Sequence, residues 1–322
     1  MAATLCCTAQ LKRYSFTAAK MGSPFTIIMY HTDSAAAAVA ADACFRLVDS
    51  LVFIFSDYID SSELNRLCAA AGQPVKVSAP LFDILQQSKQ AFIKSKGTFD
   101  VTMGPVTRLW RKARKEKIFP PAAVVKEKLA LTGFRKVYLD SAAQTVTLLQ
   151  KGMLLDLGGI AQGYIAQKVA DYLQTQDVTI ALVNVSGDIT TAGAPPGTRG
   201  WTVGVTMPES DTALLPRHLL VKDKTVTTSG DVYQFIEHNG KKYSHIVHPK
   251  TGYGITSQRT VTVIANDGAT GDWLTKACSL LPVATAKQLA NSLNAALLVT
   301  TIEKGKPAFY STKSFDAYWK RQ

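Results

Sequence analysis

The chain has 322 residues, of which 47% are hydrophobic and 19% charged, and this composition is typical of a folded globular protein rather than a disordered one. Its 36 basic and 24 acidic side chains give a net charge of +12, which leaves nucleic acid, a membrane surface and an anionic ligand open as partners. Five irregularly spaced cysteines without a CxxC pair argue against a disulfide framework or a zinc ribbon. No apolar run approaches the roughly 20 residues of a transmembrane helix, so we expect no transmembrane segment.

The predicted elements mix helices and strands in no regular order. From the N-terminus, the pattern predicts a strand at 25–30, helices at 34–56, from Asp60 onward and at 80–96, a basic helix at 105–117 and a helix at 122–131. It then predicts a hairpin of strands 136–139 and 145–149, a helix after a Gly-rich turn within 156–173, strands at 180–185, 201–205, 218–222, 225–228, 232–238, 242–247 and 260–264, helices at 271–281 and 284–293, and a strand at 296–300. Because there is no βαβ alternation and no linker, we expect one α+β domain over 1–322, built as two intertwined lobes.

The N-terminal segment and the main basic cluster need separate interpretations. Residues 1–11 begin without the basic and apolar segments of an export leader, so we expect a disordered or trimmed N-terminus. A basic cluster from Arg108 to Lys117 surrounds Trp110 but lacks the repeated aromatic spacing of a base-stacking surface. A solvated helix face is the favoured interpretation of this cluster, followed by an acidic partner or a phosphorylated ligand, and we expect no nucleic-acid partner.

Several segments combine glycine, small hydroxyl residues and one charged residue. The Gly-rich turn after Asp156 leads into a helix, whose first N–H groups are free to meet an anion. Asp188 follows a glycine at a strand end, and small residues around Ser229 allow a ligand to approach the backbone. Taken alone, each segment is at least as typical of a packing turn or a capped turn as of a ligand site. Together they suggest a long phosphorylated ligand that crosses several loops.

Two further segments carry groups able to act on such a ligand. His245 lies at the end of a predicted strand and is a candidate general base, although most strand histidines are simply hydrogen-bonded. Asp272 and Lys276 are four residues apart on one helix face and could pair with each other. Alternatively, Asp272 and Thr275 could offer oxygen atoms to Mg²⁺.

In their order and their residues, these motifs resemble those of the FAD:protein FMN transferases, the ApbE-like flavin transferases, over almost the whole chain. The matching segments are Met21-Gly-Ser, Phe55–Tyr58 with Ser62–Arg66, Phe99–Pro105 with Leu109-Trp110, Leu155–Tyr164, Asn184–Asp188, Thr228–Asp231, Ser244–Gly252 and Asp272-Trp-Leu. The resemblance implies an α+β fold that clasps FAD between two lobes. It also implies transfer of the FMN moiety of FAD to a threonine hydroxyl of a flavoprotein subunit, with release of AMP and help from Mg²⁺.

The resemblance also implies roles for individual residues. His245 matches the base that activates the acceptor threonine, and the carbonyl of Gly159 with Asp272 and the residues just after it matches the metal site, for which Thr275 is the nearest hydroxyl. Ten residues are expected to contact the flavin nucleotide. Eight match family contact positions and two, Asp188 and Ser229, lie in the loops described above; the set is Met21, Tyr58, Thr98, Phe99, Asp100, Asp156, Gln162, Asp188, Ser229 and Ile255.

Four positions depart from the family pattern. The family commonly has Lys where Gln162 stands, Gly where Ser186 stands and Asp where His248 stands. Most important, Lys276 stands where the family usually has a metal-binding Thr, and Thr275 is one residue early, which is about a 100° shift on a helix. Three hypotheses therefore remain: a transferase, a hydrolase that splits FAD to FMN and AMP, and a weakened FAD-binding protein in which Lys276 displaces Mg²⁺.

The resemblance finally implies a partner and a compartment. Acceptor subunits of this family carry a Ser/Thr-Gly-Ala-Thr element, so the expected partner is a flavoprotein subunit with such a site. Family members are often lipoproteins on the periplasmic side of the inner membrane. We therefore expect that location if a leader is missing from this sequence, and the cytoplasm otherwise.

Overall fold

The computed structural model describes residues 10–207, 210–230, 234–257 and 259–320. Most of the predicted N-terminal segment 1–11, the start of the predicted strand 232–238 and Asp231 of the motif Thr228–Asp231 therefore lie outside the described residues. Within the described part of the chain, no helix is both long and apolar enough to cross a bilayer.

Strands dominate the centre of the fold. The strands that the described residues form are β1 (Lys12–Lys20), β2 (Ser23–His31), β3 (Val75–Lys76), β4 (Val137–Asp140), β5 (Thr145–Leu148), β6 (Ala181–Val185), β7 (Asp188–Ala192), β8 (Trp201–Val203), β9 (Thr206–Met207), β10 (Ser210–Leu214), β11 (Leu219–Val221), β12 (Thr225–Ser229), β13 (Phe235–His238), β14 (Lys241–Ser244), β15 (Arg259–Ala265), β16 (Ala296–Glu303) and β17 (Lys306–Ser311). Eight of them form one antiparallel sheet in the order β1-β2-β6-β7-β12-β15-β16-β17. The prediction of an α+β fold is confirmed.

Four of the eight described helices begin where a short polar side chain caps the first turn. The helices of the described residues are α1 (Ser34–Phe55), α2 (Glu63–Ala69), α3 (Ala79–Lys94), α4 (Gly104–Glu116), α5 (Ala122–Leu129), α6 (Ala161–Thr175), α7 (Gly268–Leu280) and α8 (Val283–Ser292). Asp33 accepts a hydrogen bond of 2.7 Å from the N–H of Ala35, and Ser62, Ser78 and Asp267 cap three other helices in the same way. The helix predicted at 271–281 therefore begins earlier, at Gly268, because Asp267 caps it.

Both faces of the large sheet are covered, so most residues of its central strands are buried. Val183 of β6 and Val263 of β15 point to the face on which α1, α6 and α7 pack. Leu182 and Ile264, their neighbours, point to the opposite face and pack against Trp201 and the C-terminal segment. This alternation follows from the two-residue period of a strand. The sheet is a rigid frame for the loops at its ends.

Helices α6 and α7 touch backbone to backbone, and this contact positions the acidic residues of the site. Gly163 of α6 lies so close to Gly268 of α7 that a Cβ on either residue would overlap the other's carbonyl oxygen. The same Cβ on Gly163 would also lie 2.9 Å from the Cβ of Asp272. Only glycine permits this approach, and as a result Asp272 sits directly beside the first turn of α6.

Candidate functional site

A cleft of about 250 Å³ opens between the start of α4, the loop before α6, helix α7 and the segment after β14. Its walls combine apolar surface with several charged side chains, as in typical cofactor sites. Seven residues singled out from the sequence line this one cleft: Tyr58, Thr98, Phe99, Asp100, Asp156, Gly159 and His245. These residues come from four separate chain segments, so the fold brings the sequence motifs together at a single site.

Arg111 organises one wall of the cleft. Its guanidinium donates to Asp57 at 2.9 Å and to Asp156 at 3.4 Å, and it stacks over the ring of Tyr58 at 4.0 Å from the ring centroid. Thr107 donates a further hydrogen bond of 2.7 Å to Asp156. Burial, and then the nearby charge of Asp156, raises the pKa of Asp57. This network holds Tyr58, whose side chain is 73% exposed, at the mouth of the cleft.

Asp100 lies on the cleft wall, but its carboxylate is committed to the protein. One oxygen accepts hydrogen bonds from the N–H and the hydroxyl of Thr102, at 2.9 and 2.6 Å, and the other accepts one of 3.2 Å from the N–H of Phe134. Burial raises the pKa of Asp100, and these hydrogen bonds oppose that rise. The side chain therefore fixes the loop from Thr98 to Met103, and that loop presents Phe99 to the cleft.

Phe99, Gly159 and Lys276 pack against one another at the floor of the cleft. A Cβ on Gly159 would lie 3.1 Å from the Phe99 ring and 3.2 Å from Cγ of Lys276. The ring of Phe99 also contacts Trp273, at 6.0 Å between centroids. Glycine at 159 thus leaves room for the lysine stem, whose ammonium then reaches the interior of the site.

The ammonium of Lys276 pairs with the buried carboxylate of Asp272 beneath the cleft. Its Nζ lies 3.3 Å from Oδ1 of the fully buried Asp272, whose Oδ2 accepts a 3.1 Å hydrogen bond from the N–H of Gly163. Burial, and then the charge of Asp272, raises the pKa of the neighbouring Asp188 well above its ordinary value. Burial works against the charge on Lys276, but Asp272 and Asp188 outweigh it and raise the pKa of the lysine. Lys276 is therefore an ammonium ion that faces the cleft.

His245 follows β14 and faces the same ammonium. Its backbone N–H donates to the carbonyl of Gln234 at 2.7 Å, and its buried Nδ1 has no hydrogen-bond partner among the described residues. Burial, followed by the positive charges of Lys276 and Arg114, lowers the pKa of His245 to about 4. The imidazole is thus neutral at pH 7 and can accept a proton.

The residues around Asp272 do not suit a divalent metal ion. Oδ1 of Asp272 is buried and has no hydrogen bond among the described residues, as a metal ligand would require, but Lys276 Nζ lies 3.3 Å away and also 3.5 Å from the hydroxyl of Thr275. The ammonium lies against two of the three predicted ligands, and the Thr275 hydroxyl donates instead to the backbone carbonyl of Asp272 at 2.7 Å. Two unit charges 4 Å apart repel by about 4 kcal/mol at an effective dielectric constant of about 20, and a divalent ion doubles this cost. Within the described ranges, no group of three or more His, Cys, Asp or Glu side chains could hold a metal ion.

The remaining predicted positions lie away from the cleft walls. Gln162 lies in the first turn of α6, and Ile255 pairs through its backbone with Ser244 and Ile246. Met21 is in the β1–β2 turn and Ser229 ends β12, both at the end of the sheet where the turn before Asp188 is found. A ligand in the cleft would reach Met21 and Ser229 by extending toward that end of the sheet, whereas Ile255 is hydrogen-bonded to Ile246 of the cleft wall.

The interpretation of the whole Arg108–Lys117 cluster as a solvated face is wrong for three of its members. Arg108 is partly buried and donates to the side chain of Asn65 at 2.6 Å and to the backbone carbonyl of Asp57 at 3.0 Å. Arg111 and Arg114 line the cleft, whereas Lys112 has a side chain that is 70% exposed. Asp57 is a further residue of the site that the sequence pattern did not single out individually, although it is adjacent to Tyr58. The available signal was the three-residue spacing of arginines on a helix that directly follows the Phe99–Pro105 motif.

A larger cavity, about 860 Å³, lies elsewhere, between the segment at Pro216–His218 and the C-terminal residues Asp316–Lys320. Its walls carry Arg217 stacked on Trp319 at 4.6 Å, but none of the sequence motifs described above. Volume alone therefore does not identify the functional site, and the smaller cleft is the chemically equipped one.

Comparisons with known proteins agree with the resemblance seen in the motifs. A model described as the ApbE family matches residues 21–299. An FAD:protein FMN transferase of Klebsiella pneumoniae is 37% identical over 265 residues, which cover 81% of each chain, and one of Treponema pallidum is 31% identical over 289 residues, 85% of this chain and 80% of the relative. The flavinyl transferase ApbE of Pseudomonas stutzeri, solved in its apo form, has a TM-score of 0.84 at 26% identity and covers 96% of this chain and 97% of its own. The chain is a member of the ApbE family.

Proposed function

We propose that this protein is an FAD:protein FMN transferase, which moves the FMN moiety of FAD to a threonine hydroxyl of a flavoprotein subunit and releases AMP. The observation that carries the proposal is the cleft itself, in which a neutral histidine faces an ammonium and an arginine at the meeting point of the family motifs. Family membership supports the same activity, because relatives with more than 30% identity over most of the chain have that name.

The reaction needs one bond made and one broken at the FMN-side phosphorus of FAD. The acceptor threonine oxygen attacks this phosphorus, and the bond to the bridging oxygen breaks, so that AMP leaves with that oxygen. The threonine proton goes to His245, which is neutral before the reaction. The negative charge that moves to the leaving phosphate is met by the cationic side chains of the cleft, chiefly Lys276.

A pKa of about 4 makes His245 a weak base in the empty cleft, and bound substrate raises this pKa. The low pKa has burial as its main cause and the charges of Lys276 and Arg114 as the next. A bound pyrophosphate places negative charge between those cations and the imidazole, which favours the protonated form. The base strength of His245 therefore rises when FAD is present.

The other residues of the cleft are proposed to hold the flavin nucleotide. Tyr58 offers an exposed ring at the cleft mouth, and Phe99 offers an apolar surface at its floor, both suited to a flat aromatic ligand. Thr98, Asp100 and Asp156 shape the wall between them. Met21, Gln162, Asp188, Ser229 and Ile255 would contact parts of FAD that extend along the end of the sheet.

The experiment that tests this function is the incubation of the protein with FAD and an acceptor that carries a Ser/Thr-Gly-Ala-Thr element. We expect the acceptor to gain the mass of FAD less that of AMP, which is FMN less one water, and AMP to appear in equal amount. An acceptor whose final threonine is replaced by valine is the matched control and should stay unmodified. FMN and AMP without an adduct would indicate the hydrolase instead, and FAD retention without AMP would indicate a binding protein.

A further inference from the structure

The cations that face the cleft differ in whether a carboxylate already neutralises them. Arg111 is paired with Asp57 and Asp156, at 2.9 and 3.4 Å. Arg114, one turn further along α4, lines the same cleft and makes no ion pair among the described residues. A half-buried guanidinium without an anionic partner is costly to maintain, and a cleft that carries one is suited to an anionic ligand.

Lys276 provides the second cation, from the opposite element. It reaches the cleft from α7, with its stem against Gly159 and its ammonium anchored on Asp272 at 3.3 Å. The side chain is 22% exposed and lines the cleft. An ammonium keeps three donors, and contact with Asp272 and Thr275 leaves at least one for a ligand.

His245 lines the same cleft as both of these cations. The positive charges of Lys276 and Arg114 are the two that lower the pKa of this histidine, and all three residues line the cleft. An anion that bridges the two cations would therefore lie next to the imidazole. Because the Lys276 ammonium lies against both Asp272 and Thr275, it occupies the space that a divalent ion bound by these two residues would need.

We propose that this protein holds the FAD pyrophosphate between Lys276 and Arg114, beside His245, and that these two side chains replace the divalent ion in FAD binding and cleavage. This inference rests on the proposed function, since it names the groups that carry the charge compensation for that reaction. It assigns Arg114, a residue of the basic helix, to the substrate site.

The test measures the dissociation constants of FAD and of riboflavin, which has no phosphate, for the full chain in EDTA and in Mg²⁺. We expect the same FAD affinity in both conditions. We expect Lys276→Met and Arg114→Met each to weaken FAD binding about 10- to 100-fold, as for a lost hydrogen bond to a charged group, with little change in riboflavin binding. Lys112→Met, on the exposed side of α4, is the matched control and should leave both affinities unchanged.

The outcomes separate this inference from the proposed function. FAD binding or AMP release that requires Mg²⁺, or stoichiometric Mg²⁺ binding in a calorimetric titration of the wild-type protein with FAD, would overturn the replacement of the metal and leave the transferase intact. An equal loss of riboflavin binding in the variants would show general disruption of the cleft and would overturn the pyrophosphate contact. A wild-type chain that binds no FAD under either condition would overturn both.

Discussion

The pairing of Asp272 with Lys276 and with helix α6 predicts a large stability loss when this carboxylate is removed. Asp272 is fully buried, accepts a hydrogen bond from Gly163 at 3.1 Å and faces the Lys276 ammonium at 3.3 Å. Loss of a helix-capping acceptor costs about 1 kcal/mol. Breaking a buried ion pair costs about 3–5 kcal/mol, and the partial exposure of Lys276 reduces this cost. We expect Asp272→Ala to destabilise the protein by about 3 kcal/mol.

The assay for this loss is urea unfolding followed by circular dichroism. With a slope of about 3 kcal/mol per molar urea for a chain of this size, the midpoint should fall by about 1 M. Asp272→Asn keeps an acceptor for the Gly163 N–H and should lose less. Asp49→Ala is the control, because Asp49 also pairs with a lysine, Lys20, but is 59% exposed; such a pair contributes at most about 1 kcal/mol. A midpoint for Asp272→Ala as high as that of the control would refute the buried pair as a structural element.

Three further predictions concern the base, its ionisation and the helix contact. His245→Gln should lower AMP release about 10²- to 10⁴-fold while the FAD dissociation constant changes little, and a parallel loss of binding would contradict the role of base. Because the folded-state pKa of His245 is about 4, the base is already neutral above that pH, so kcat/KM should show no histidine inflection between about pH 5 and 8; an inflection near pH 6.5 would mean that the imidazole is exposed in the free enzyme. Gly163→Ala places a Cβ against the Gly268 carbonyl and should lower the melting temperature and FAD affinity together, and an unchanged melting temperature would contradict the close approach of α6 and α7.

Local signals in the sequence predicted the helices well. The predicted helices 34–56 and 80–96 correspond to α1 and α3, because Asp33 and Ser78 supply the caps that residue type alone indicates. The hairpin predicted at 136–139 and 145–149 is also confirmed, as β4 and β5. These features depend on residues that are close in the chain.

The elements that the sequence did not resolve depend on distant contacts. Strand β7 pairs with β6 and β12, and its sequence Asp-Ile-Thr-Thr-Ala has no alternating apolar pattern because both of its faces are covered. Strand β17 is an edge strand of mixed polarity. The predicted strand at 242–247 ends at Ser244, after which His245 turns toward the cleft.

The site itself could be predicted only in part for the same reason. Motif order identified seven lining residues, since each motif carries glycine and small hydroxyl residues that keep a ligand-facing loop open. It did not identify Arg114, whose surroundings in sequence are those of an ordinary basic helix. What makes it different is the position of α4 against the segment that carries His245, and only the tertiary structure shows this.

The most direct test of the central claim is the intact mass of an acceptor flavoprotein subunit after incubation with FAD and this protein, measured together with AMP. The account predicts one FMN adduct for each AMP released, on the acceptor threonine, in EDTA as well as in Mg²⁺. An acceptor that stays unmodified under both conditions would contradict it.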